Sequence, residues 1–285
     1  MIEILLIKGG FVVKATGYFF LMLMIMMGCS EKMNMEYVDK DNDIKMIKAE
    51  AIEALKSKKV FFGHASVGSN IIDGIEDIRA NNQHVQNINI QDLKDDNEVN
   101  EPAIYHAKNG KNGFPKSKVD AFKKTLEEKG LGNKLDIAFF KFCYVDIEKD
   151  SNVQEMFDYY TSNMEYLKKK FPGLQIVHVT TPLYTHAMGL KGFIKNIIRG
   201  DVSNVKRNEF NKMLVKKYQG VDPIYDLASI ESQLPDGKRS SFKYKGEIYL
   251  SLAPEYTYDG GHLNETGRYL AAKELLKILA ELSNK

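Results

Sequence analysis

Two short stretches carry residues whose types and spacing suit nucleophilic chemistry. One is Asp259-Gly260-Gly261-His262-Leu263-Asn264-Glu265-Thr266-Gly267. An Asp three residues ahead of a His can reach back to the imidazole, fix its tautomer and stabilise the imidazolium, as the acid of a hydrolytic triad does. The two glycines between them permit a tight turn. The other stretch is Phe61-Phe62-Gly63-His64-Ala65-Ser66-Val67-Gly68, which reads as strand, turn and helix start. A hydroxyl at Ser66 would be exposed where a sheet edge meets a helix N-terminus. An oxyanion developing beside it would face backbone N–H groups and the positive helix end. Each stretch also has a plainer reading: a Gly-rich loop that caps a helix, and a Ser that serves as an N-cap.

Positioning such residues needs a scaffold, and the hydrophobic pattern describes one. Helical spacing runs from Ile44 to Leu55, over 67–80, 116–128, 150–170 and 202–219, and over a last helix at 265–283 capped by Asn264. Between them lie strand-like runs at Val60–Phe62, Val85–Ile90, Leu135–Val145, Gln175–Thr180 and Asp222–Leu227. Residues 91–114 and 183–200 read as long loops, and 228–258 as irregular with a hairpin around Tyr244–Leu250. Alternation of this kind predicts an α/β fold, a three-layer α/β/α sandwich on a central parallel sheet of about five strands. Ligands of such sheets bind beyond the carboxyl ends of the strands. The segments that matter are therefore 63–70, 91–114, 142–149, 181–200 and 250–264. No internal repeat is visible.

Together, Ser66 after the first strand and the D-G-x-H-L-N-x-x-G block before the last helix resemble the SGNH hydrolases, or GDSL-type esterases. The resemblance spans nearly all of residues 58–283 and implies the flavodoxin-like fold of that superfamily. It also implies a triad of Ser66, His262 and Asp259, with an oxyanion hole formed by the Ser66 N–H and a Gly of the second block. Asn109-Gly110-Lys111-Asn112-Gly113 offers that Gly, as Gly110 or Gly113. The chain departs from the pattern in two places. The G-D-S block is replaced by Gly63-His64-Ala65-Ser66, where His64 either assists or packs. The third block, which normally supplies an Asn side chain, reads Lys141-Phe142-Cys143-Tyr144-Val145-Asp146, with Tyr144 or Asp146 in that region.

Other polar residues carry less. His106 falls in the loop expected to overhang the site, His178 mid-strand in the core, and His186 in a post-strand loop. Arg207-Asn208-Glu209-Phe210-Asn211 reads as helix surface, and Cys143 as a small buried hydrophobe without an evident basic neighbour. No Cys or His spacing suggests a metal site, and no organic cofactor is implied. With 40 Lys and Arg against 38 Asp and Glu, the net charge of +2 offers no reason to expect nucleic acid as a partner. Two Cys exclude a disulfide framework, and 44% hydrophobic residues exclude disorder over most of the 285-residue chain.

The N-terminus reads as an address. Lys8 and Lys14 precede an uncharged apolar run, Ala15 to Cys29, which ends Met26-Met27-Gly28-Cys29. This resembles a bacterial lipobox, so residues 1–28 are expected to be a signal peptide, Cys29 to be lipidated, and 29–43 to be a tether to a domain over 44–285. The expected protein is an extracytoplasmic, membrane-anchored lipoprotein of the cell envelope that hydrolyses an acyl ester, with an O-acylated carbohydrate as the substrate suggested by location. The alternatives are a non-catalytic glycan- or envelope-binding lipoprotein on the same scaffold, and an O-acyltransferase.

Overall fold

Successive residues of the apolar runs face opposite sides of one sheet. In strand β1 (Lys59–His64), Val60 and Phe62 enter one hydrophobic cluster and Phe61 the other. Strand β4 (Ile137–Phe140) divides in the same way, Ile137 and Phe139 against Ala138 and Phe140. A strand buried on both faces reads as a continuous apolar run, which is why these two were visible in the sequence. Burying each of these Val, Ile and Phe side chains contributes about 1.5–3 kcal/mol. The computed structural model describes residues 44, 47–93, 99–186 and 201–284, all within one unit, Lys40–Lys285. The signal peptide, Cys29 and the tether expected over 29–43 lie outside the described residues, as does most of the 183–200 loop.

The main sheet is parallel in the order β2 (Ile90–Asp92), β3 (Ala103–Lys108), β1, β4 and β5 (Gln175–Ile176). Beyond it, β6 (His178–Val179) pairs in parallel with β7 (Ile224–Tyr225). Residues 175–179 thus follow one course whose first half pairs with β4 and whose second half pairs with β7. Setting aside the three-residue edge strand β2, the winding is 2-1-3-4-5, and its direction reverses between β1 and β4. Helices α1 (Ala49–Lys56), α2 (Val67–Asn81) and α7 (Glu265–Ser283) pack on the face carrying Val60 and Phe62. Helices α3 (Pro115–Glu127), α4 (Val153–Lys170) and α5 (Asp201–Tyr218) pack on the other. A short helix α6 (Leu227–Ser232) and the antiparallel hairpin β8 (Ser241–Tyr244) and β9 (Glu247–Leu250) lie between β7 and α7. The three-layer α/β/α architecture is therefore that expected from the pattern.

Three local readings are corrected. Residues 91–114 are not one loop, because β3 runs through them beside β1. The alternation over Val85–Ile90 comes from successive turns, Val85 N–H to the Asn82 carbonyl and Ile88 N–H to the Val85 carbonyl; the strand begins only at Ile90. The 228–258 stretch holds α6 as well as the hairpin.

Two contacts bring the ends of the chain together. Gly74 of α2 lies so close to α7 that a Cβ there would run into the Arg268 carbonyl. One turn earlier on α2, Asn70 Oδ1 accepts the Leu263 N–H at 3.2 Å. The loop before α7 is thereby tied to the helix that follows Ser66.

Candidate active site

Ser66 and His262, 196 residues apart in the chain, meet at the carboxyl end of β1. Ser66 Oγ lies 2.7 Å from His262 Nε2. His262 Nδ1 lies 2.6 Å from Asp259 Oδ2, and the other carboxylate oxygen accepts the backbone N–H groups of His262 (2.8 Å) and Gly261 (2.9 Å). Partial burial acts to raise the Asp259 pKa. The bonds from the His262 ring and from the two backbone N–H groups outweigh it and hold the carboxyl well below the usual range. An ionised Asp259 makes Nδ1 the protonated nitrogen and leaves Nε2 as the acceptor facing Ser66, the tautomer a general base needs.

Ser66 stands at the N-cap position of α2, yet its side chain makes no cap hydrogen bond. Its backbone has φ 56° and ψ −116°, in the positive-φ region that costs a non-glycine residue of order 1–3 kcal/mol. A strained turn between strand and helix that lifts a hydroxyl out of the sheet is the arrangement of a nucleophile elbow.

The expected oxyanion donors fare differently. The Gly113 N–H is spent on Asp146 Oδ1 at 2.7 Å, so Gly113 is no longer a candidate. Among the described residues, neither the Ser66 N–H nor the Gly110 N–H donates to a protein acceptor. Residue 109 is fixed beside the end of β1 by its N–H to the His64 carbonyl at 2.9 Å. Gly110 follows with φ +62°, and a Cβ there would sit 2.7 Å from Lys118 Cα. Only glycine meets both conditions.

His64 does not join the Ser66–His262 pair. Its Nε2 lies 3.1 Å from His106 Nδ1 on the neighbouring strand, while its Nδ1 is buried without a partner. Burial first, then the charges of His106, Lys141 and Lys118, lower its pKa to about 3, so it is neutral at pH 7. His106 lies within β3, not in an overhanging loop. Tyr144 stands beside the site, its ring 5.8 Å from the His262 ring and edge-on to it. Burial followed by the nearby Asp259 charge raises its pKa. Asp146 is occupied in a structural role, with Oδ2 accepting the Cys143 N–H at 2.6 Å as Oδ1 takes Gly113. His178 is core, stacked on Tyr218, and His186 pairs with Asp201 at 2.8 Å.

Several residues escaped the sequence reading. Tyr184 packs edge-on to Tyr144 at 5.5 Å and donates to the Asp259 carbonyl at 2.9 Å, adding a second ring beside the loop of His262. Arg207 is not surface. It is buried, donates to the Tyr144 carbonyl at 2.8 Å and lies over the Tyr144 ring. Cys143 does have basic neighbours, the ammonium groups of Lys141 at 3.6 Å and Lys118 at 3.7 Å, all three side chains being buried. A lysine inside the apolar run 135–145 was the one available sign of this cluster.

No family model matches the chain, and no curated protein does. Solved structures do resemble it. A GDSL-like lipase from Bacteroides thetaiotaomicron is 13% identical, over 79% of this chain and 88% of that one, with a TM-score of 0.47. The lipase/acylhydrolase from Enterococcus faecalis is 15% identical, over 79% and 96%, with a TM-score of 0.47. An acetyl xylan esterase is 15% identical, over 76% and 98%, with a TM-score of 0.44. The chain is similar to these proteins in the course of its backbone.

Proposed function

We propose that the chain is a divergent SGNH-type serine hydrolase that cleaves an acyl ester. The observation that supports this is the meeting of Ser66 Oγ with His262 Nε2 at 2.7 Å, because nothing local requires residues so distant in sequence to touch. Ser66 Oγ attacks the ester carbonyl as its proton passes to His262 Nε2. Asp259 stabilises the imidazolium that results. The Ser66 and Gly110 N–H groups hold the oxyanion. Collapse expels the alkoxide, which takes the proton from His262, and water releases the acid by the same steps. Tyr144 and Tyr184 give the His262 side of the site an aromatic wall suited to an acyl chain or a sugar face. Anchoring through Cys29 would place the enzyme on the outer side of a bacterial membrane, where O-acylated carbohydrate is the substrate class we favour.

The test is hydrolysis of para-nitrophenyl acetate. Ser66→Ala should abolish it with the melting temperature unchanged; full activity in that variant would refute the proposal. A non-catalytic glycan-binding lipoprotein remains the second reading, favoured by the absence of an Asn after β4, where Lys141–Tyr144 stand instead. An inert wild-type chain that binds glycan would establish it, and transfer of the acyl group to added sugar would point to an acyltransferase. Cys29→Ser should leave a larger, unlipidated precursor. An unchanged mass and unchanged detergent partitioning would remove the anchor from the proposal.

A further inference from the structure

Beneath the loops that flank Ser66 lies a buried charge that the triad does not use. The Lys118 and Asp146 side chains have no exposed surface, and Lys118 Nζ lies 3.6 Å from Asp146 Oδ2. The same ammonium donates to Asn112 Oδ1 at 2.9 Å and to the Asn109 carbonyl at 3.4 Å. The Lys118 carbonyl accepts Asn109 Nδ2 at 2.9 Å. Side chain and backbone of one lysine thus hold both the carbonyl and the side-chain amide of Asn109. Burying an ammonium is expensive, and a carboxylate that also serves two backbone N–H groups compensates it only in part. Stability alone does not account for a lysine here.

The Asn109 carbonyl and the Gly110 N–H belong to one peptide unit. In a planar trans peptide they point in opposite directions. An ammonium set against the carbonyl therefore fixes the direction of the N–H and increases its positive character, an effect larger in a buried setting than in water. Asp146 holds the arrangement from the far side by tying Gly113 to the turn at Cys143.

We infer that Lys118, clamped by Asp146, is a positioning residue for the oxyanion hole: it aims and strengthens the Gly110 N–H as a donor. The inference rests on the hydrolase reading above. It assigns to a buried ion pair part of the transition-state stabilisation that this chain does not draw from an Asn after β4.

Lys118→Met keeps the apolar stem and removes the charge. Because it strands Asp146, Lys118→Met/Asp146→Asn is made beside it, and both are checked by thermal melting. In the folded variants, kcat for para-nitrophenyl acetate should fall about 10- to 100-fold, less than for outright loss of a donor, with KM within about threefold. Phenylboronate, which forms a tetrahedral adduct on an activated serine, should lose affinity by the same factor as kcat. A purely structural role would not link those two losses while sparing KM. The wild-type protein supplies a measurement independent of folding: on phenylboronate binding, the Gly110 amide proton should move downfield by more than that of Gly113. An unmoved Gly110 resonance, or an undiminished kcat in a folded double variant, would overturn the inference while leaving the hydrolase reading intact. A wild-type chain that neither turns over the ester nor binds boronate would end both.

Discussion

Asp259→Asn is the sharpest probe of how the site works, because it alters one atom and spares the fold. Asp259 Oδ1 accepts the His262 and Gly261 N–H groups, and an Asn oxygen can still do so. Oδ2 would become an NH₂ group pointing at His262 Nδ1, 2.6 Å away in the native protein. Two donors cannot face each other, so the ring must carry its proton on Nε2. The atom facing Ser66 then becomes a donor and can no longer remove the serine proton. In a sheltered triad this exchange costs about 10⁴-fold in kcat. Here the Asp259 and His262 side chains are 57% and 44% exposed, so water can rescue part of the lost tautomer. The expected loss is therefore about 10²- to 10⁴-fold in kcat on para-nitrophenyl acetate, with the melting temperature nearly unchanged. A loss below about threefold in a folded protein would show that the carboxylate does not set the tautomer, and the base assignment would fall.

Two further outcomes concern stability. Glu231 is fully buried, and burial, opposed by the Leu183 N–H and the charges of Lys141 and Arg207, raises its pKa to about 8 from an ordinary 4.5. The folded state then binds the proton more tightly than the unfolded one. Stability is full below about pH 4.5 and falls as pH rises towards 8, by at most about 1.4 kcal/mol per unit from this group. Glu231→Gln should flatten that slope in denaturant titrations between pH 5 and 8; an unchanged slope would contradict the assignment. Gly74→Ala should lower stability by about 1–3 kcal/mol, since the added methyl must push α2 from α7, and should reduce activity through the loop tied to Asn70. Undiminished stability by chemical denaturation would show that the helices part freely.

What the sequence disclosed followed from where each residue is buried. β1 and β4 were legible because both their faces are covered, and α7 because Asn264 caps it through the Thr266 and Gly267 N–H groups. β3 was not, because only Ala103, Ile104 and Tyr105 are buried; its second half, His106-Ala107-Lys108, opens towards the end of the sheet and reads as polar loop. The D-x-x-H block was legible because its geometry is local. Gly110 could not be separated from Gly113, since what removes Gly113 is a hydrogen bond to Asp146, 33 residues away. Lys118 sat among other lysines of α3 with nothing in its spacing to mark it as buried, and Arg207 looked like any charged helix residue. Such groups are recognised by partners contributed from other elements.

The central claim is that Ser66 is an activated nucleophile, and covalent labelling by a fluorophosphonate followed by peptide mass spectrometry tests it most directly. The predicted result is a stoichiometric adduct on the Ser66 peptide of the wild-type chain, with labelling slowed at least about 10³-fold in His262→Ala and absent in Ser66→Ala. An unlabelled wild-type Ser66, or equal labelling rates with and without His262, would contradict the account.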